Sequence, residues 1–292
     1  MMSTQLGTAL LAVLIVVFLV LMTLSDSMRQ STLPSVLTNL SVPRHAQQND
    51  EHQLFAGCSH IFLDVGSNRG THVRKLFEPQ KYPNAKYHAL FDQGFGAQEW
   101  RRRPSAETGI CAFGFEANPR WTSTLQKLEV AYARQGWRAK WFVPAAVSNK
   151  RGNVTMWLND EGRSNDWGAS AIVHSNKNAK GVSVPSVNLT DFMVQLNRSA
   201  RSGYRLMKMD IESAEYIVLP PLVEKQLLCK HVLDMLTIEW HGAVRGKWPR
   251  NLKDDVKRNV RSADKCSSGP STELKELDDE SYVNDGMPLP GE

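Results

Sequence analysis

A chain of 292 residues with 41% hydrophobic residues is long enough to bury the core of one catalytic domain, and its net charge is +5. An acidic stretch from residue 271 onward leaves about +11 on the remainder. The basic residues do not alternate with aromatic residues along one predicted face, which excludes the pattern expected of a nucleic-acid partner. A plain solvated surface, or one that meets anionic lipid or an acidic glycan, fits better.

The first predicted element is a membrane span over residues 8–24, which hold no charge and are mostly Leu, Val and Ile. No Ala-x-Ala cleavage site follows, which favours an uncleaved signal anchor over a cleaved signal peptide. Residues 1–7 would then be a short cytosolic N-terminus. The polar residues 25–53, with Pro34 and Pro43, would be a stem.

Features after the span favour the secretory lumen. The Asn-x-Ser/Thr sequons are at Asn39, Asn153, Asn188 and Asn197. The four cysteines, an even number, suit an oxidising compartment. The alternative is a cytosolic-facing domain with four reduced thiols. The sequence thus predicts a single-pass type II membrane protein of the endoplasmic reticulum or Golgi. Its lumenal domain would span residues 54–280, followed by a disordered acidic tail over residues 281–292.

The folded domain is predicted to open with a buried strand at residues 61–65, with Asp64 at its carboxyl end. Gly66 and Gly70 then open a turn into a helix over residues 71–77. Such a strand, glycine turn and helix form a nucleotide pocket, because glycine lets the backbone approach a ligand and the helix start offers free N–H groups. The spacing is not the Gly-x-Gly-x-x-Gly of dinucleotide binders, which makes a nicotinamide oxidoreductase a weak alternative.

Residues 82–108 are predicted to form a long irregular insertion. A loop of this length in a compact domain is commonly a lid or a substrate wall. The run Arg101 to Arg103 is interpreted as part of a solvated loop.

The remaining pattern alternates strands with helices. A second strand ends at Glu116, and Asn118 with Pro119 starts a helix that stops near Gly136. The later elements are strands at 140–147, from 205 and from 233, a hairpin of 154–158 with 169–173, helices at 187–196 and 253–263, and an edge strand at 273–277. This order predicts an α/β fold with a doubly wound, mostly parallel sheet.

Polar side chains gather at the carboxyl ends of these strands, where ligands bind in such sheets. They are Asp64, Glu116, Asp210, Glu212, Glu239 and His241.

Four motifs, in their order and spacing, resemble the FkbM-type S-adenosylmethionine-dependent methyltransferases. They are residues 64–70 (DVGSNRG), 115–119 (FEANP), 145–148 (AAVS) and 208–215 (KMDIESAE), with 238–241 (IEWH) similar to the family's fifth strand. The resemblance covers roughly residues 61–241. It implies a class I methyltransferase (Rossmann-like) fold, S-adenosylmethionine as cofactor and, usually, methyl transfer to an oxygen.

Carried over to this chain, the resemblance assigns a cofactor site. Gly66 and Gly70 would shape the turn under the methionine part, and Asp64 would contact the cofactor's charged end. Glu116 would hold the ribose hydroxyls as a bidentate acceptor.

The same motifs add Asn68, Asn118 and Asp210 to this site. Two positions depart from the family pattern: Ala117 replaces a proline, which is benign, and Ser213 replaces a glycine. A side chain at Ser213 narrows a turn where glycine allows close approach.

Methyl transfer to a hydroxyl also needs a general base. His241 is our candidate, and Asp210, with Glu212 beside it, is the rival. These carboxylates could also join Glu239 around a divalent metal. The spacing does not decide this, and we favour a site without metal.

The predicted activity is O-methylation of a hydroxyl or carboxylate on a glycan, a glycolipid or a small molecule. The alternative, which Ser213 favours, is an inactive methyltransferase fold that serves as a lumenal binding or scaffold protein. The sequence makes no prediction about the oligomeric state.

The cysteines are predicted to lie at the amino edge of the sheet, opposite the active site. Cys58 and Cys111 each precede a strand of a neighbouring pair, Cys229 precedes the fifth strand, and Cys266 follows a helix that returns to that edge. Of the three pairings that four cysteines allow, we predict Cys58–Cys111 and Cys229–Cys266. No Cys-x-x-Cys motif is present, which argues against zinc and redox chemistry.

Overall fold

The computed structural model describes residues 53–158, 180–200, 203–241, 251–261 and 266–279. Within these ranges, no helix combines the length and the apolar character needed to cross a bilayer. The predicted N-terminus, span and stem up to residue 52, the sequon at Asn39 and the predicted tail over 281–292 lie outside the described residues.

The core of the fold is a six-stranded sheet with the order β3-β2-β1-β7-β8-β9. Its strands are β1 (His60–Val65), β2 (Ile110–Phe115), β3 (Arg138–Phe142), β7 (Arg205–Met209), β8 (Met235–Ile238) and β9 (Glu273–Glu276). All five pairings are parallel, and Asp64 in β1 lies between Gly114 of β2 and Lys208 of β7. The predicted parallel α/β sheet is confirmed, and all its carboxyl ends lie at one edge.

Helices cover both faces of this sheet. They are α1 (Thr71–Phe77), α2 (His88–Phe95), α3 (Gln98–Arg101), α4 (Ser105–Thr108), α5 (Thr122–Arg134), α6 (Leu189–Ser199), α7 (Glu215–Glu224) and α8 (Leu252–Arg261). Because side chains alternate along a strand, Ile61 and Leu63 pack in the core with α6 and α7, while Phe62 packs with α1, α2 and α5. By the same alternation, Asp64 lies on the side of Phe62.

A second, three-stranded sheet follows β3. It consists of β4 (Ala146–Ser148), β5 (Gly152–Leu158) and β6 (Lys180–Asn188), in the order β4-β6-β5. The predicted strand at 140–147 is confirmed only up to Phe142: Pro144 has no N–H to donate to a ladder, and the chain leaves the six-stranded sheet after Phe142. The predicted hairpin has its first strand right, but the partner of that strand is β6. Residues 169–173 lie outside the described residues.

The interpretation of residues 82–108 as an irregular insertion is also wrong. This segment forms α2, α3 and α4, and the buried Leu90, Phe91 and Phe95 of α2 pack in the core. Arg101 is fully buried rather than solvated: its guanidinium donates to Asp92 Oδ1 at 2.6 Å and to the carbonyl of Leu76 at 2.9 Å. The segment is thus a structural layer of the fold.

Two disulfide bonds link Cys58 to Cys111 and Cys229 to Cys266, with Cα–Cα distances of 5.7 and 5.6 Å. The predicted pairing is confirmed. The first bond joins the segment before β1 to the start of β2, so it braces the amino edge of the sheet.

Two lysines, Lys75 and Lys86, bind the segment that follows β9. Nζ of Lys75 in α1 lies 3.1 Å from Asp279 Oδ2 and donates to the Asp279 carbonyl at 3.0 Å. The two side chains are 0% and 1% exposed. Lys86 donates to the carbonyl of Asp278 at 2.8 Å. Residues 277–279 therefore belong to the folded domain.

Candidate functional site

The carboxylate of Glu116 ties together the loops after β1 and β2. Its Oε2 accepts a hydrogen bond from the N–H of Asn68 at 2.6 Å, and its Oε1 accepts one from the N–H of Asn118 at 2.7 Å. Asn118 in turn accepts from the N–H of Arg120 and caps the 3₁₀ turn Pro119–Trp121. Burial raises the pKa of Glu116 to about 7, and the two N–H groups oppose that rise. The side chain is thus held at the carboxyl edge, where the sequence predicts it.

Asp64 lies beneath the glycine turn and is fully buried. Its Oδ1 is 3.7 Å from Nζ of Lys208, and among the described residues neither carboxylate oxygen has a hydrogen-bond partner. Burial raises the pKa of Asp64 to about 6, although the charge of Lys208 lowers it. The predicted contact between Asp64 and a cofactor stays a prediction.

The two glycines of the turn are required by close packing. Gly66 has φ +87°, and a Cβ there would lie 1.8 Å from the carbonyl oxygen of Asp210. Gly70 has φ +77°, and a Cβ there would lie 2.9 Å from the side chain of Leu125 in α5. Gly66 therefore joins the β1 turn to the β7 loop, and Gly70 lets α5 approach the start of α1.

Lys208 is a central residue of this edge that the sequence analysis did not single out. Its Nζ donates to the carbonyl of Gly66 at 2.6 Å and lies 3.1 Å from Asp210 Oδ2. Burial lowers the pKa of Lys208. The charges of Asp210 and Asp64 raise it by more than burial lowers it, so the pKa lies above its ordinary range. The feature of the sequence that could have identified Lys208 is its place within a predicted buried strand, because a buried lysine requires an acidic partner.

An acidic cluster with a histidine follows β7 and β8. Nε2 of His241 lies 3.6 Å from Asp210 Oδ1, 3.6 Å from Glu239 Oε1 and 3.7 Å from Glu212 Oε2. Its Nδ1 donates to Oε1 of Glu215 at 3.0 Å. The structure thus brings together the three predicted catalytic residues, His241, Asp210 and Glu212, and adds two carboxylates to them.

The charges of this cluster act on its titrating groups. Burial lowers the pKa of His241, but the hydrogen bond to Glu215 and the charges of Glu212, Glu215 and Asp210 outweigh it, so the pKa is about 9. Burial and the charge of Asp210 raise the pKa of Glu239 to about 7. In this state His241 carries a proton at neutral pH. His241 can act as a base only if its pKa falls, which requires that the negative charge around it be reduced. The base role of His241 stays a prediction.

The turn between β7 and α7 has an unusual backbone. Glu212 and Ser213 have φ values of +51° and +74°, in the left-handed region. Each L-residue in that region costs about 1–2 kcal/mol. The resemblance described above leads us to expect a glycine at Ser213, so the departure noted in the sequence coincides with strain. The N–H of Ile211 donates to Oε1 of Glu215 at 3.0 Å and helps to hold the turn.

Comparison with known proteins gives one family match. The sequence model of the family described as "Methyltransferase FkbM domain" matches residues 64–264, which is more than half of the 292-residue chain. No curated protein and no solved structure matches. The match includes the glycine turn, Glu116 and the acidic cluster.

Proposed function

Because the chain belongs to the FkbM methyltransferase family, we propose that it transfers the methyl group of S-adenosylmethionine to an oxygen acceptor. The observation that carries the proposal is the position of Glu116. Its carboxylate joins the loops after two neighbouring parallel strands, at the sheet edge where nucleotides bind. The cluster around His241 lies at the same edge.

The hydrogen-bonding groups of this edge fit the cofactor. Each carboxylate oxygen of Glu116 uses one lone pair on a backbone N–H and keeps another for a ribose hydroxyl. Among the described residues, Asn68 Oδ1 and both oxygens of Asp64 are buried acceptors without a hydrogen-bond partner. The cofactor's ribose hydroxyls and ammonium group are donors. Glu116 and Asn68 would hold the ribose, and Asp64 would act on the charged end.

The chain's part in catalysis is alignment and proton removal. When bound, S-adenosylmethionine supplies a methyl group whose bond to sulfur breaks as the acceptor oxygen bonds to it, and the bonding pair stays on sulfur. The acceptor hydroxyl loses its proton to a carboxylate oxygen of the cluster. Lys208 holds Asp210 in place through their 3.1 Å contact. The turn at Gly66, which would bind the cofactor, packs against the backbone of Asp210, which would face the acceptor. The positions of cofactor and acceptor would therefore depend on each other.

The acceptor class and the compartment are further parts of the proposal. We propose a domain in the secretory lumen, anchored through residues 8–24, that acts on a hydroxyl or carboxylate of a glycan, glycolipid or small molecule. Two disulfides and the exposed sequons at Asn153 and Asn197 support it. Asn188 is half-buried and caps α6 through its Oδ1, so it is less suited to a glycan.

The test is methyl transfer from cofactor labelled in its methyl group, with the full-length chain and a panel of free sugars, glycolipids and uronic acids. Label in an alkali-stable ether identifies a hydroxyl acceptor, and alkali-labile label identifies a carboxylate. Glu116→Gln should reduce incorporation, while Glu107→Gln, a change of an exposed side chain on α4, should not. Cofactor binding without transfer to any acceptor would favour the inactive scaffold, for which the strained Ser213 is the supporting observation.

A further inference from the structure

Three carboxylate oxygens surround the outer nitrogen of His241. They belong to Asp210, Glu239 and Glu212, and lie 3.6, 3.6 and 3.7 Å from Nε2. These distances exceed those of ordinary hydrogen bonds. One atom each from Asp210, Glu239 and His241 lie within 4.8 Å of one another. These ligand atoms are therefore close enough to share one ion at a point between them, which we call the common point.

The spacing is that of ligands around one ion. For bonds of about 2.2 Å and angles of about 90–110°, two ligand atoms on the same ion lie roughly 3.1–3.6 Å apart. The separations of 3.6 Å from Nε2 to Asp210 and Glu239 lie at the upper end of this range. A cation at the common point would therefore contact the nitrogen and both oxygens with little movement of the side chains.

Glu215 provides a second, independent observation. This carboxylate is 0% exposed and faces His241, holding Nδ1 at 3.0 Å, so that Nε2 is directed at the common point. Its other oxygen, Oε2, is buried and has no hydrogen-bond partner among the described residues. A carboxylate on the far nitrogen of a histidine is the usual support of a metal-bound imidazole.

We propose that Asp210, Glu239 and His241 bind one divalent cation, with Glu215 as the group that orients His241. The mixed nitrogen and oxygen ligands suit an ion that accepts both imidazole and carboxylate, such as Mn²⁺, better than Mg²⁺. Its role in the reaction rests on the proposed function: when bound, it would hold the acceptor oxygen beside the cofactor and would make that oxygen easier to deprotonate.

The test is a calorimetric titration of Mn²⁺ into the full-length chain after treatment with a chelator. We expect one ion per chain with micromolar affinity. Asp210→Asn and Glu239→Gln should each weaken binding at least tenfold, and Glu215→Gln should weaken it about tenfold through the orientation of His241. Glu224→Gln, an exposed change on the same helix as Glu215, is the matched control and should leave affinity unchanged.

Pulsed electron paramagnetic resonance gives a readout that does not depend on affinity. The bound Mn²⁺ should show coupling to one imidazole nitrogen, and His241→Asn, which keeps an N–H for Glu215, should remove it. Thermal melting of each variant identifies changes that act through unfolding. No binding by the folded wild-type chain, equal binding in all variants, or binding without nitrogen coupling would overturn the proposal.

The same samples separate this proposal from the methyltransferase function. S-adenosylmethionine binding without Mn²⁺ binding would refute the ion site and leave the proposed activity intact. Mn²⁺ binding without cofactor binding would refute the activity and leave the ion site.

Discussion

The buried pair of Lys75 and Asp279 allows a quantitative prediction. Nζ and Oδ2 are 3.1 Å apart, and the side chains are 0% and 1% exposed. Lys75→Met fills the space of the lysine but leaves the Asp279 carboxylate without this cation. Breaking a buried pair in this way costs about 3–5 kcal/mol. With about 2–4 °C per kcal/mol for a domain of this size, the melting temperature should fall by roughly 6–20 °C.

The assay is urea unfolding with the disulfides intact, read by tryptophan fluorescence. Lys140→Met is the control, because Lys140 pairs with Glu129 at 2.8 Å but the side chains are 51% and 27% exposed. That change should cost less than about 1 kcal/mol. The double variant Lys75→Met/Asp279→Leu should recover most of the loss, because neither position then buries a charge. A loss in Lys75→Met no larger than in Lys140→Met would refute the reasoning.

Three further predictions concern strain, pH and the disulfides. Ser213→Gly should raise the free energy of unfolding by about 1 kcal/mol, since glycine adopts φ +74° without strain; destabilisation in urea would contradict this. Because the pKa of Glu116 is about 7 and the carboxylate is the better acceptor, cofactor affinity should rise with pH. The ionised fraction of Glu116 grows from about one tenth at pH 6 to about nine tenths at pH 8, so this group should contribute up to about a tenfold gain in calorimetry. Glu116→Gln should keep only the roughly twofold rise expected from Asp64, whose pKa is about 6. Replacing Cys229 and Cys266 by serine opens a loop of 37 residues and should cost about 4 kcal/mol; an unchanged urea midpoint would oppose that value.

The sequence was informative where local patterns and topology agree. The strand ending at Asp64, the glycine turn and the strand ending at Glu116 each have short, strong signals, and the structure places them in neighbouring parallel strands. The disulfides could be predicted because parallel strands place their starts at one edge. The same reasoning brought Asp210, Glu212 and His241 together, since each follows the carboxyl end of a strand.

Other features depend on contacts that a linear pattern does not contain. Helix α2 carries Gly94 and is followed by Gly96, both helix breakers in sequence, yet packing of Phe91 and Phe95 in the core overrides their low propensity. The burial of Arg101 depends on a carboxylate and carbonyls that only the folded chain brings to it. Strand β6 pairs with β5, but residues 159–179 separate the two strands in the sequence, so no short turn motif identifies the pairing.

The arrangement of the site itself was predictable only in part. Lys208 alternates with apolar residues of β7, but its contacts with Asp210 and with the carbonyl of Gly66 come from two different loops. The position of Glu215 under His241 likewise depends on the left-handed turn at Glu212 and Ser213, which the residue types disfavour.

The central claim is that Glu116 and the glycine turn form a cofactor pocket, and calorimetric titration of S-adenosylmethionine into the full-length chain tests it most directly. We predict micromolar binding that falls at least tenfold in Glu116→Ala and is unchanged in Glu107→Ala, an exposed change on α4. Absence of binding by a chain with a cooperative melting transition would contradict the methyltransferase account and leave the inactive scaffold as the better description.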